Sequence, residues 1–202
     1  MGTPKLSAKI RPLNFNKERE VMATATELQP IAELDSERSY ELVNGQLEEK
    51  EMPGARHGGI CSRLERRLGT FIEVRELGEL YTETNFQIGE NERIPDLAFV
   101  SAERIPEEGE PETKWPMQPD LAIEIISPND FYEKVYAKAL EYLAAGVKQV
   151  WVVSPENQVV TIYRSATNIV AFPPDSELVS EDLLPGFRCP LKEIFIRRTP
   201  AS

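Results

Sequence analysis

The sequence predicts an α/β fold, a mixed β-sheet flanked by α-helices, on three observations. Residues 121–126 (Leu-Ala-Ile-Glu-Ile-Ile) are an almost unbroken apolar run of strand length, as in a central strand covered on both faces. A helix-period segment over about 131–145, stopped at Gly146, leads from it into a second apolar run, Gln149–Ser154. Strand, helix, strand is the pattern of a β-α-β unit with a right-handed crossover. Before both lies a longer segment in which Ile60, Leu64, Leu68, Phe71 and Ile72 recur at three- and four-residue spacing, an amphipathic helix over about 56–76 with an Arg-rich outer face.

The remaining elements follow in order. Residues 1–28 mix Lys, Arg, Pro and polar residues without a period and read as a tail or arm; one domain is expected over 29–197 and a short tail over 198–202. After a short helical lead-in, Asn44-Gly45 between two short runs predicts a tight β-hairpin over 39–49. Gly78 is expected to end the first long helix. Residues 80–88 and 94–100 are strand-like, separated by the turn-prone run Gly89-Glu-Asn-Glu92, and the Glu- and Pro-rich stretch 101–119 reads as an exposed loop. Val159–Tyr163 is expected as an antiparallel partner of 149–154 across the turn 155–158, and 180–195 to fold back over one end.

Composition bounds the function. With 202 residues, 41% apolar and 28% charged, the chain has the makeup of an ordinary globular protein. Its net charge of −11 argues against a surface that grips nucleic acid everywhere, although it leaves room for a local basic groove or for a divalent ion bridging carboxylate and phosphate. Cys61 and Cys189 lie far apart without metal-ligand spacing and read as buried free thiols. No run approaches the roughly 18 apolar residues of a membrane helix, and a cytoplasmic protein with no membrane partner is expected.

Two carboxylates interrupt apolar strands: Asp96 in Ile94-Pro-Asp-Leu97 and Glu124 in the central run. A carboxylate carried into an interior needs a cation, a hydrogen-bond network or a chemical task. Period-two alternation puts Ala122, Glu124 and Ile126 on one face and Leu121, Ile123 and Ile125 on the other; it groups Asp96 with Ala98 and Val100. If the strands pair, the acids meet, and small alanines beside both leave room for an ion. Oxygen ligands suit Mg²⁺, Mn²⁺ or Ca²⁺ rather than Zn²⁺, for which one His and two distant Cys are too few. The competing reading is an ordinary ion pair at each strand end.

Lys134 and Lys138 share a helix face just after the Glu124 strand. Lys138 is read as a cation reaching back to the acids, and Lys134 as a solvated side chain. His57 lies on the apolar stripe of the first helix, where a core or capping role competes with catalysis. Glu41 alternates with Val43 on the first hairpin strand and is either a third carboxylate or a surface residue. Tyr142, Trp151 and Tyr163 read as core aromatics.

Tyr40-Glu-Leu-Val-Asn-Gly45, His57 opening a helix, Ile94-Pro-Asp-Leu97, Leu121–Pro128, Lys138–Val147 and Val150-Trp-Val-Val153, in this order and spacing, resemble the Uma-two family of the PD-(D/E)XK superfamily. The resemblance implies a restriction-endonuclease-like fold and a divalent-metal endonuclease acting on DNA, with Mg²⁺ or Mn²⁺ as cofactor and a homodimer as the assembly. It implies Asp96 and Glu124 as metal ligands and Lys138 as a relocated partner, with Glu41 and His57 at further family positions. The superfamily places a lysine two residues after the second acid; this chain has Ile126, which bears no charge. That departure, with the acidic balance, supports an alternative: a catalytically inactive nuclease-fold binding or assembly module.

Overall fold

The computed structural model describes residues 38–197; the tail expected over 1–28, the helical lead-in and the C-terminal tail over 198–202 lie outside the described residues. The first element is the predicted hairpin, β1 (Tyr40–Val43) and β2 (Gln46–Glu49), with Tyr40 opposite Glu49. Asn44 and Gly45 both take positive φ, 51° and 76°, the turn whose twist matches that of the flanking strands. Glu41 and Val43 point inward from β1, whereas every residue of β2 is exposed.

Helix α1 (Ala55–Val74) buries His57, Ile60, Leu64, Leu68 and Ile72, one stripe at helical spacing. Its stop is not Gly78. Glu76 turns left-handed (φ 52°) and the Leu77 N–H returns to the Ile72 carbonyl at 3.1 Å, a C-terminal stop made without glycine. Gly78 instead opens β3 (Gly78–Thr82), where its φ is 142° and an added Cβ would lie 2.1 Å from the Val100 carbonyl oxygen. A bare backbone is required there because the neighbouring strand comes too close.

The segment 80–88 proves to be two strands in different sheets. Glu83 at φ 46° breaks it, so that β3 joins the large sheet and β4 (Phe86–Ile88) a small one. The predicted turn covers only its first half; Asn91–Arg93 forms β5, which pairs with β4 and with β1. The next strand, β6 (Leu97–Ser101), starts after Asp96 rather than at 94, because Pro95 has no N–H to give a ladder. The 101–119 loop is largely exposed, but it opens with a 3₁₀ turn at Ala102–Arg104, and Trp115 is buried against Phe86.

Strand β7 (Leu121–Ile125), helix α2 (Tyr132–Ala144) and β8 (Gln149–Ser154) form the predicted unit, with β7 and β8 parallel and β9 (Val159–Tyr163) antiparallel to β8. A further strand, β10 (Ile169–Phe172), extends the large sheet to the order β10-β9-β8-β7-β6-β3. The small sheet has the order β2-β1-β5-β4. As expected, the end of the chain folds back: β11 (Glu177–Val179), β12 (Arg188–Pro190) and α3 (Leu191–Ile194) bring Phe187, Leu191 and Ile194 into the core beside α1.

The central sheet is covered on both faces. Leu97, Phe99, Leu121, Ile123 and Ile125 face α1, while Ala98, Val100, Ala122, Val150 and Val152 pack with Ala139 and Tyr142 of α2. Each fully buried Leu or Ile in these layers contributes roughly 1.5–3 kcal/mol relative to exposure. The predicted alternation of both acid-bearing segments is therefore what the two cores require. Because β3 abuts β6 at Gly78, Gly78→Ala is expected to destabilise the protein by at least about 2 kcal/mol, measured by urea denaturation.

Candidate active site

Strands β6 and β7 pair antiparallel with Ala98 opposite Ala122 and Leu97 opposite Ile123. Extended by one step, this register sets Asp96 level with Glu124. The ladder has ended here, and the Asp96 side chain takes over: its Oδ2 accepts the Ile125 N–H at 2.7 Å. The two acids interact electrostatically.

Asp96 is 2% exposed and fully engaged. Oδ2 also meets His57 Nε2 at 2.9 Å, and Oδ1 accepts from Lys50 Nζ at 3.0 Å. Burial opposes ionisation, but the His57 hydrogen bond and the Lys50 charge outweigh it and hold the carboxyl at about 2. The reciprocal effect acts on His57: burial pulls its pKa down, and the hydrogen bond and charge of Asp96 more than reverse this. His57 Nδ1 is buried without a hydrogen-bond partner among the described residues.

On the other side of the face, Glu124 Oε1 accepts from Tyr142 Oη at 2.7 Å and Lys138 Nζ at 2.9 Å, while Oε2 takes no hydrogen bond among the described residues. Lys138 Nζ also donates to Glu41 Oε1 at 3.1 Å. Glu41 is anchored in turn by the Ile94 N–H (2.9 Å) and by Arg93 Nη1 (2.8 Å), and Arg93 forks onto Glu141. Burial works against both members of the Lys138–Glu124 pair. For Lys138 the two carboxylates prevail and raise its pKa, so it is an ammonium at neutral pH. For Glu124 burial prevails and raises the carboxyl above its ordinary value, with Lys138 opposing and Asp96 adding to the rise.

The site residues expected from sequence thus fall in two groups, Asp96 with His57 and Glu124 with Lys138 and Glu41, which are coupled electrostatically and joined through the Ile94 backbone, whose N–H meets Glu41 and whose carbonyl meets Lys50. Lys134 is exposed on the rim of an open cleft of about 510 Å³, which Glu41, Glu124 and Lys138 line from inside. Tyr142 is fully buried as expected, but its hydroxyl belongs to the site, four residues from Lys138 on the same helix face. Lys50 and Arg93 join these groups without a clear mark in the sequence. Lys50 sits in the charge run Glu48–Glu51, which looks like surface; Arg93 carries a signal in directly preceding Ile94-Pro95-Asp96. Ile126 packs with the apolar residues beneath α2 and contributes no charge.

Among the described residues, no group of three or more His, Cys, Asp or Glu is arranged to hold a metal ion. Two carboxylates, one keeping a free oxygen, fit Mg²⁺, which retains several waters and takes one or two carboxylates from protein. Cys61 and Cys189 are free, and burial pushes each thiol up to about 11, so neither supplies a thiolate.

His57 is the chain's one histidine, so its ring gives a single set of titrating signals. In metal-free protein NMR is expected to give it a pKa above the ordinary histidine value of 6.5, and Asp96→Asn to lower it. Since the folded pKa is raised, the stability from this pair is complete below the unfolded pKa and is lost as pH rises through the folded one. Asp96, held at about 2, contributes stability above its unfolded value of 3.8 that is lost as pH falls toward 2. Denaturation across both windows checks the signs.

The chain has counterparts among known proteins. No curated protein matches the chain. A crystal structure described as "a putative nuclease belonging to DUF820" from Anabaena variabilis ATCC 29413 matches with a TM-score of 0.73 and 25% sequence identity, covering 80% of this chain and 92% of that one. Its likeness gives the large mixed sheet and flanking helices a nuclease-fold counterpart. The family model Uma2, described as "Putative restriction endonuclease", matches residues 25–192. With that span matched and the restriction-endonuclease-like α/β fold observed, the chain belongs to the Uma2 family.

Proposed function

We propose that the protein is a Mg²⁺- or Mn²⁺-dependent endonuclease that hydrolyses phosphodiester bonds in DNA, acting as a cytoplasmic homodimer through one domain over 29–197. The observation that carries this reading is the pairing of Glu124 with Lys138 at a cleft where a Glu124 oxygen remains unengaged, with Asp96 level with Glu124 in the strand register and coupled to it electrostatically. Membership in a family described as restriction endonucleases supports it. Among the described residues no helix is long and apolar enough to cross a membrane.

In this reading Asp96 and Glu124 would hold the ion. When bound, the ion polarises the phosphate and acidifies a water. The chain's own groups do the rest. Lys138, kept as an ammonium by Glu41 and Glu124, donates rather than accepts; it orients a water or phosphate oxygen and stabilises the negative charge on the phosphoryl oxygens in the transition state. His57 and the Ile125 N–H fix the Asp96 carboxylate, and Tyr142 fixes that of Glu124. Arg93 and the Ile94 N–H hold Glu41, which holds Lys138.

A second reading, the inactive binding or assembly module, draws on Ile126 at the usual lysine position and on the net charge of −11. It predicts no saturable Mn²⁺ binding that depends on Glu124.

Plasmid DNA incubated with Mg²⁺ or Mn²⁺ separates the two. Cutting is expected, with loss of at least about 10³-fold in Asp96→Ala and about 10²–10³-fold in Lys138→Met, while Lys134→Met stays within about twofold. Cutting that survives Asp96→Ala unchanged overturns the nuclease reading.

A further inference from the structure

Lys50 is the first residue after the exposed strand β2, yet it turns inward: its side chain is 16% exposed beside the 2% of Asp96. Its backbone N–H is pinned to the Ser39 carbonyl at 2.9 Å, which fixes the end of the hairpin. The ammonium then sits in a shell made only of oxygen: Glu83 Oε2 at 2.6 Å, the Ile94 carbonyl at 2.9 Å and Asp96 Oδ1 at 3.0 Å. Oxygens of this kind are also what a hard divalent cation takes.

The division of labour within Asp96 sharpens the point. Oδ2 is committed to the His57 ring and the Ile125 N–H, both on the interior side. Only Oδ1 is left for an incoming ion, and Lys50 holds it. Glu124 lies close enough to Lys50 to interact electrostatically. An ion on Oδ1 and an ammonium on the same oxygen would be like charges in a half-buried site, where screening by water is weak.

We propose that Lys50 is a resident counter-ion of the metal site: it neutralises Asp96 in the metal-free protein, and a divalent ion binds Asp96 only by displacing it. This rests on the metal-dependent reading above and adds a residue that opposes the ion. Lys50 acts here as a positioning group that weakens metal affinity while stabilising the metal-free fold. It gives the site two lysines with opposite tasks: Lys138 stays on Glu124, and Lys50 leaves Asp96.

Calorimetric titration of the full chain with MnCl₂ tests this, using wild type, Lys50→Met, Lys50→Gln, Lys50→Arg and Asp96→Asn. The neutral variants are expected to bind Mn²⁺ at least tenfold more tightly than wild type, and Lys50→Arg to stay within about twofold. In EDTA the neutral variants should melt below wild type, and Mn²⁺ should raise their Tm by more. Binding only in the neutral variants supports the proposal strongly. If wild type binds Mn²⁺ in an Asp96-dependent way and the neutral variants bind no tighter, the counter-ion role fails and the nuclease reading stands. If no variant binds, the metal-dependent reading fails and this proposal with it.

Discussion

The pairing of β6 with β7 is the constraint on which the rest of the site depends. Its register, Ala98 against Ala122, is set by side-chain alternation, because a slip of one residue would turn Leu97 and Phe99 out of the α1 core. The same register brings Asp96 level with Glu124. Pro95, two residues before β6 begins, ends the ladder, so Asp96 is released from regular pairing and satisfies the Ile125 N–H with its side chain. Thus the polar site lies where an apolar sheet runs out of backbone partners. No separate device is needed to place the acids.

Burying these carboxylates imposes a second condition. Glu41, Asp96, Glu124 and Glu141, with the exposed Glu83 beside them, are met by Lys50, Arg93, Lys138 and, when protonated, His57. Every cation serves an acid, and most serve two. Removing one partner leaves an uncompensated charge, which costs far more than the intact pair contributes. Asp120, at the other end of β7, shows what a structural acid of this sheet looks like. It is fully buried, caps the Ser101 N–H and pairs with Arg104 and Lys148, and its carboxyl pKa is lowered like that of Asp96. Glu124 differs from both in being raised and in keeping an oxygen free.

Much of this was legible in the sequence wherever local chemistry decides structure. Asn44-Gly45 specifies its turn, the α1 stripe its helix, and the alternation of 121–126 the two faces on which Glu124 and its apolar neighbours fall. Tertiary decisions were not legible. Glu83 turns left-handed with no glycine to announce it, so one apparent strand became two in different sheets. Gly78 looked like a helix stop, whereas its role is set by the closeness of Val100, twenty-two residues away in sequence. Lys50 was hidden for the same reason: a lysine in a run of glutamates reads as surface, and only folding brings Asp96 to it.

The placement of Lys138 on a helix has its own consequence. A lysine two residues after Glu124 would be carried by the same strand, and its position would be fixed by the pleat. Lys138 is instead joined to β7 through the six residues 126–131 and then by half of α2. Surface loops ordinarily tolerate changes of length, and that connection can absorb one. Within the helix nothing absorbs it: a single residue inserted between Lys138 and Tyr142 would turn one against the other by about 100°, so that the ammonium and the phenol could no longer both meet Glu124. The register of α2, not the length of the loop before it, is the ruler of the candidate site.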